Sequence, residues 1–174
     1  MAVAPLDAPL AVEPAPVIVA GHGPVLMRIA NEKADGLFLF LQTVETVKQA
    51  RKILGPEKEL HVAVRCALDP DPKSARDLAR RACAWYLTMP PYHKIWRALG
   101  FEERDWVEGS DRLIDAICAW GDAETLRSKL DAFYDAGATH IALYPCNPNE
   151  NYSPDSAVSK QWEWDLLEAL APAR

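Results

Sequence analysis

Residues 16–41 read PVIVAGHGPVLMRIANEKADGLFLFL, and this stretch decides the fold. Pro16 to Ala20 is a short β-branched apolar run closed by Gly21-His22-Gly23, which predicts a buried strand followed by a turn. Pro24 suits the first position of a helix, and Leu26, Ile29 and Ala30 hold helical spacing to about Ala34. Asp35-Gly36 breaks that pattern. The run Gly36 to Leu41 is then continuously apolar, as expected of a parallel strand covered on both faces. One βαβ unit is therefore legible in 26 residues, and two parallel strands require a crossover of this kind.

The same alternation continues toward the C-terminus. Thr43 is placed to cap a helix with Val44, Val47, Ala50, Ile53 and Leu54 on one stripe, stopped by Gly55-Pro56. Leu60 to Leu68 reads as a third strand. Asp71 and Pro72 open a long helix expected from Lys73 to about Thr88, with Trp85 on its inner face, and Met89-Pro90-Pro91 interrupts it. A short helix follows over Tyr92 to Leu99. Ser110 and Asp111 start another, expected to carry Leu113, Ile114, Ile117 and Trp120 inward. Asp122 caps a further helix that ends near Gly137, and His140 to Tyr144 is the fourth strand. Asn147 to Ser159 reads as a polar loop, and Trp162, Leu166, Leu167 and Leu170 mark a closing helix. Strand–turn–helix repeated four times predicts an α/β fold with parallel strands and outer helices. A closed barrel of such units needs about 200–250 residues. This chain has 174, which predicts part of one: a half-barrel domain over residues 14–174 behind an irregular leader at 1–13.

Composition bounds the function. Hydrophobic residues make up 49% of the chain and charged residues 25%, which suits a packed domain and excludes a disordered one. The formal charge of −6 argues against a general nucleic-acid binder, because phosphate backbones require a basic face. No apolar run is long enough to span a bilayer, and the Ala- and Pro-rich start has neither the basic end nor the apolar centre of a signal peptide. Cys66, Cys83, Cys118 and Cys146 are scattered and form no CxxC pair. They predict reduced thiols in a cytoplasmic protein and no metal site.

Parallel α/β folds bind ligands at the C-terminal ends of their strands. The first such end, Gly21-His22-Gly23, is the best candidate. Its glycines let a ligand approach the backbone, and the following helix aims its free amides and its dipole at the same point. A phosphate held by the amides of Gly21 to Gly23, with His22 beside it, is the chemistry this predicts. Tyr144, at the end of the last strand, is the other weak candidate for a proton-transfer role. His61 and His140 lie at strand starts, where a structural role is expected. Tyr92 and His93 lie beside the Pro-Pro break, as part of either a lid or a packed helix face. Glu102, Glu103, Asp105 and Glu108 read as a solvated acidic surface. The apolar stripes make Trp85, Trp120 and Trp162 core residues.

Residues 16–36 resemble the P-V-Y-V-A-A-x-G-P-x-M-L-x-L-A-G-x-x-A-D-G stretch of the luciferase-like monooxygenase superfamily, with Gly21-His22-Gly23-Pro24 at its Ala-x-Gly-Pro turn. Asp69 to Arg76 is similar to its D-P-x-x-A-R helix start. Leu99-Gly-Phe101, Gly109 to Ala116, Ala119 to Asp122 and Asp135 to Leu143 resemble the F420-dependent oxidoreductase branch. The resemblance runs over about residues 14–170. It implies a TIM-barrel fold of which this chain supplies the C-terminal half, strands five to eight. The cofactor's phosphate then falls on Gly21, His22 and Gly23. The implied cofactor is coenzyme F420, with FMN as the alternative, and the implied reaction is hydride transfer to or from a small molecule. The ring-binding strand belongs to the other half, so catalysis calls for a second copy or a separately encoded N-terminal half-barrel. The alternatives are a non-catalytic cofactor- or partner-binding remnant, or a truncated product. Two open strand edges, at Val17–Ala20 and Ile141–Tyr144, predict a homo-oligomer.

Overall fold

The computed structural model describes residues 15–149 and 163–171. The leader at residues 1–13, most of the polar loop and Trp162 lie outside the described residues. Five parallel strands form one sheet: β1 (Ile18–Ala20), β2 (Gly36–Phe40), β3 (Glu59–Leu68), β4 (Cys118–Gly121) and β5 (His140–Pro145). Helices α1 (Pro24–Lys33), α2 (Val44–Leu54) and α3 (Pro72–Cys83) follow the first three strands. A 3-10 turn (Tyr86–Thr88) and helices α4 (Pro90–Ala98), α5 (Glu103–Val107) and α6 (Asp111–Ile117) lie between α3 and β4. Helix α7 (Ala123–Asp135) connects β4 to β5, and α8 (Trp164–Leu170) closes the described chain. No helix among these is long and apolar enough to cross a membrane.

Alternation along the strands separates two faces. Leu37 and Leu39 of β2 and Leu60, Val62, Val64 and Cys66 of β3 point toward the helices, where Met27, Ala30, Val47, Ala50, Leu126 and Phe133 bury them. The opposite parity, Phe38, Phe40, His61, Ala63 and Arg65, faces away from those helices. β1 pairs only with β2, and β5 pairs only with β3. Both outer strands keep partly exposed residues throughout, whereas β3 is almost wholly buried. The sequence expectation of parallel strands with outer helices is met, and β4, which pairs only with β3, adds a third strand with a single partner to the two expected at β1 and β5.

Several expectations are corrected. The helix that begins at Asp111 ends at Ile117, and Cys118–Gly121 is a strand. Residues 61–63 of β3 pair with both β2 and β5, and residues 65–66 pair with both β4 and β5, so β4 shares β2's side of β3. β2 leaves that side at Leu41, whose φ of 51° turns the chain away, and β4 takes the vacated ladder positions. Tertiary pairing there overrides a helical stripe. Trp120 is consequently half-buried at the margin of a small core cluster with Ala67, Leu78 and Ala82: its indole N–H donates to Asp115 at 2.8 Å, and the Arg76 guanidinium lies 4.7 Å from its ring centre. The long helix stops at Cys83, and Trp85 is 40% exposed. Within the acidic run, Asp105 is buried. It accepts hydrogen bonds from the Glu102 amide, the Ser110 hydroxyl and Arg112, and that pairing holds its carboxyl well below the usual range.

Candidate active site

The turn between β1 and α1 is shaped by its two glycines. Gly23 has φ 93° and ψ 161°, a conformation essentially confined to glycine. A Cβ on Gly21 would come within 2.8 Å of the Leu26 side chain. Gly23 is the N-cap of α1 and offers no side-chain cap, and Pro24 has no N–H. The first free donors of α1 are therefore the amides of Val25 and Leu26. The Gly21 amide is already committed to the Phe38 carbonyl at 3.2 Å, so Gly21 contributes shape to the turn and not a donor.

His22 packs between two neighbours that the sequence gave no reason to join. Its ring lies 4.8 Å from that of Tyr92, and its Nδ1 is 3.3 Å from Nε2 of Gln42. Burial lowers the His22 pKa below its ordinary 6.5, so the ring is neutral at pH 7. Gln42 is 1% exposed and its Nε2 also donates to the Phe40 carbonyl at 3.1 Å. Beside the turn, a cleft of about 630 Å³ opens between α1, α2 and α4, lined by His22, Gly23, Leu26, Ile53, Lys94 and Ile95.

A run of ring contacts leads from His22, through residues of α4 and the 3-10 turn, across the sheet face opposite α1, α2 and α7. Tyr92 lies 6.0 Å from Tyr86, Tyr86 lies 5.0 Å from Phe40, and Phe40 lies 5.0 Å from Tyr144. The buried Arg65 guanidinium sits 5.6 Å from the Tyr86 ring centre and 5.8 Å from that of Phe40. Thus His22 and Tyr144 stand at the two ends of one aromatic wall, joined through Tyr92, Tyr86 and Phe40. Such a wall suits a flat conjugated ring, while the free amides of α1 suit an anion.

The remaining candidates have structural roles. His93 is 2.6 Å from the Leu87 carbonyl through Nε2 and stacks on Trp106, so it packs the helical insertion. His61 and His140 are register partners 5.1 Å apart at the opposite end of the sheet from His22, with Glu59 3.4 Å from His61. All four cysteines are buried and free, and among the described residues no cluster could hold a metal. Arg65 and Tyr86 carry no motif that marks them in the sequence, and Gln42 is marked only by its place at a strand end. For Arg65 a signal existed: it shares the parity of His61 along β3, opposite the apolar set.

Among solved structures, an F420-dependent secondary alcohol dehydrogenase in complex with an F420–acetone adduct is 18% identical with a TM-score of 0.59, over 92% of this chain and 50% of that one. The coenzyme F420-dependent tetrahydromethanopterin reductase of Methanopyrus kandleri is also 18% identical, with a TM-score of 0.56 over 75% of this chain and 44% of that one. The chain therefore spans about half the length of the structures it matches, and the likeness is one of fold. No curated protein sequence matches it. The family model described as luciferase-like monooxygenase matches residues 3–140, which include the glycine turn, the aromatic wall up to Tyr92 and all of β1 to β4, and by that match the chain belongs to the luciferase-like monooxygenase family.

Proposed function

We propose that this chain is the phosphate-binding half of a flavin- or deazaflavin-dependent oxidoreductase, corresponding to strands five to eight of a luciferase-like barrel. The observation that carries this reading is the uncapped N-terminus of α1 behind Gly21-His22-Gly23, at the rim of the face lined by Phe40, Tyr86 and Tyr144. Coenzyme F420 is the preferred cofactor, since both structures compared above are F420-dependent enzymes. FMN is the alternative, from the flavin enzymes of the family. When bound, the cofactor supplies hydride transfer to or from a small-molecule substrate. This chain's part is to hold the phosphate at the amides of Gly23, Val25 and Leu26, to seat the ring against the aromatic wall and to place His22 and Tyr144 as proton-bearing groups at its ends.

A second half-barrel, from another copy or from a separate N-terminal half, completes the pocket. It also pairs the open sides of β1 and β5. Four unpaired buried thiols support a cytoplasmic setting. Titrating the chain with F420 and with FMN, alone and mixed with an N-terminal half-barrel of the family, tests the reading. Saturable binding of either, with turnover only in the mixture or in an assembled homo-oligomer, is the expected result. Binding by neither overturns it, and binding without turnover in any mixture favours a non-catalytic binding subunit.

A further inference from the structure

We propose that Gln42 is a positioning residue that fixes His22 as the Nε2–H tautomer and so presents a ring N–H donor at the N-terminus of α1. The tautomer follows from the amide's surroundings. Nε2 of Gln42 is 3.1 Å from the Phe40 carbonyl, which can only accept, so the atom there must be the nitrogen. Its second hydrogen points to His22 Nδ1 at 3.3 Å. A nitrogen that accepts carries no proton, so the proton of the neutral ring lies on Nε2. Exchanging the amide's O and N would set two acceptors against each other at Phe40, so that orientation is excluded.

The cost of this arrangement argues that it serves the ring. Gln42 is 1% exposed, and its Oε1 is buried with no partner among the described residues. A buried amide with an unmet oxygen is worse for stability than an apolar residue of the same shape. The left-handed turn at Leu41, φ 51°, immediately precedes it and sets the amide beneath the ring. Tyr92 packs on the ring, 4.8 Å centre to centre, and restricts its rotation. Every degree of freedom of the imidazole is thereby taken up except the hydrogen bond of Nε2–H, and His22 lines the cleft that opens beside Gly23. The use of that donor for a phosphate rests on the cofactor reading above, whereas the tautomer does not.

Long-range 1H–15N spectra of the histidine rings test the assignment in the ligand-free chain. Only four histidines contribute, and His22→Ala identifies the relevant signals. His93 is an internal reference, because its Nε2 faces a carbonyl and must also carry the proton. The expected wild-type pattern is an unprotonated Nδ1 and a protonated Nε2 at His22. Gln42→Leu should give a mixture of tautomers. Gln42→Glu, nearly the same size, should reverse the pattern, the protonated oxygen in the place of Nε2 donating to the Phe40 carbonyl and accepting from Nδ1–H. A wild-type ring protonated at Nδ1 overturns the proposal, as does a Gln42→Glu pattern unchanged from wild type. In a second arm, inorganic phosphate is titrated against the amide signals of Gly23, Val25 and Leu26. Gln42→Leu should weaken that binding about tenfold, the loss of one ordered hydrogen bond to an anion. The assigned tautomer with no phosphate binding at all supports the role of Gln42 and overturns the cofactor-phosphate reading instead.

Discussion

Gly23 is the position where a single side chain decides whether the turn can form. Its dihedral angles, φ 93° and ψ 161°, are essentially closed to any residue with a Cβ, even though a Cβ there would meet open space. Gly23→Ala is therefore expected to destabilise the chain by about 1–3 kcal/mol through backbone strain, read as a lower urea midpoint with an unchanged m-value, and to abolish cofactor binding. His22 makes a second residue-scale prediction. Its pKa is lowered by burial, so the folded chain keeps the ring neutral in a range where the unfolded chain binds a proton. Its contribution to stability is present above the ordinary pKa of 6.5 and is lost as pH falls below that value. The urea midpoint of the wild type should drop below that pH more steeply than that of His22→Gln; parallel curves would remove the prediction.

Between elements, a few polar side chains hold what the apolar stripes cannot specify. Arg51 of α2 donates to the Gly137 carbonyl at 2.9 and 2.6 Å and to the carbonyls of Gly55 and Lys58 at 2.6 and 2.8 Å. It thus ties the end of α2 to the loops that lead into β3 and β5. Arg51→Ala is expected to cost about 2–3 kcal/mol, measured by urea or thermal unfolding, with Arg51→Lys recovering only part of it because an ammonium cannot fork. Asp105 plays the same part between α5 and α6. Its carboxyl is depressed first by the Arg112 hydrogen bond and then by those from Ser110 and Glu102. A depressed carboxylate stabilises above its ordinary pKa and loses that contribution as pH falls below 3.8. Asp105→Asn should accordingly lower stability at pH 7 by about 1 kcal/mol and flatten the acid limb of the stability profile.

Across the whole molecule the dominant feature is a sheet fully covered by α1, α2 and α7 on one face, while on the other face only its end toward α3 and α4 is covered, where Ala67 and Arg65 are buried. β1 and β5 each have a single strand partner, and Phe38, Phe40, Ala142 and Tyr144 are only partly buried on the other side. Unpaired parallel edges flanking an apolar face favour association. The chain is expected to run as a dimer or larger assembly in light-scattering chromatography. Ala142→Lys, which sets a charge next to Ala63 in the centre of that face, should shift it to monomer without changing its far-UV circular dichroism. A wild-type chain that stays monomeric at every concentration, and takes up no half-barrel partner, would count against completion of a barrel.

Local signals were enough for β1, α1, β2, α2 and β3, because a buried strand, a glycine turn and an amphipathic helix each write their period into consecutive residues. The same signals located the Gly21-His22-Gly23 turn. They also pointed to the parallel α/β class, since alternating strands and helices leave few other topologies open. Only the tertiary structure could show that Cys118–Gly121 is a strand, because its one reason to extend is the ladder that Leu41 vacates. The burial of Asp105 depends on Arg112 reaching it across a loop, and the exposure of Trp85 on where α3 stops. The tautomer of His22 was likewise beyond the sequence, for it is set by an amide 20 residues away. Periodicity is a property of neighbours along the chain, whereas a hydrogen bond between distant residues exists only once the fold has brought them together.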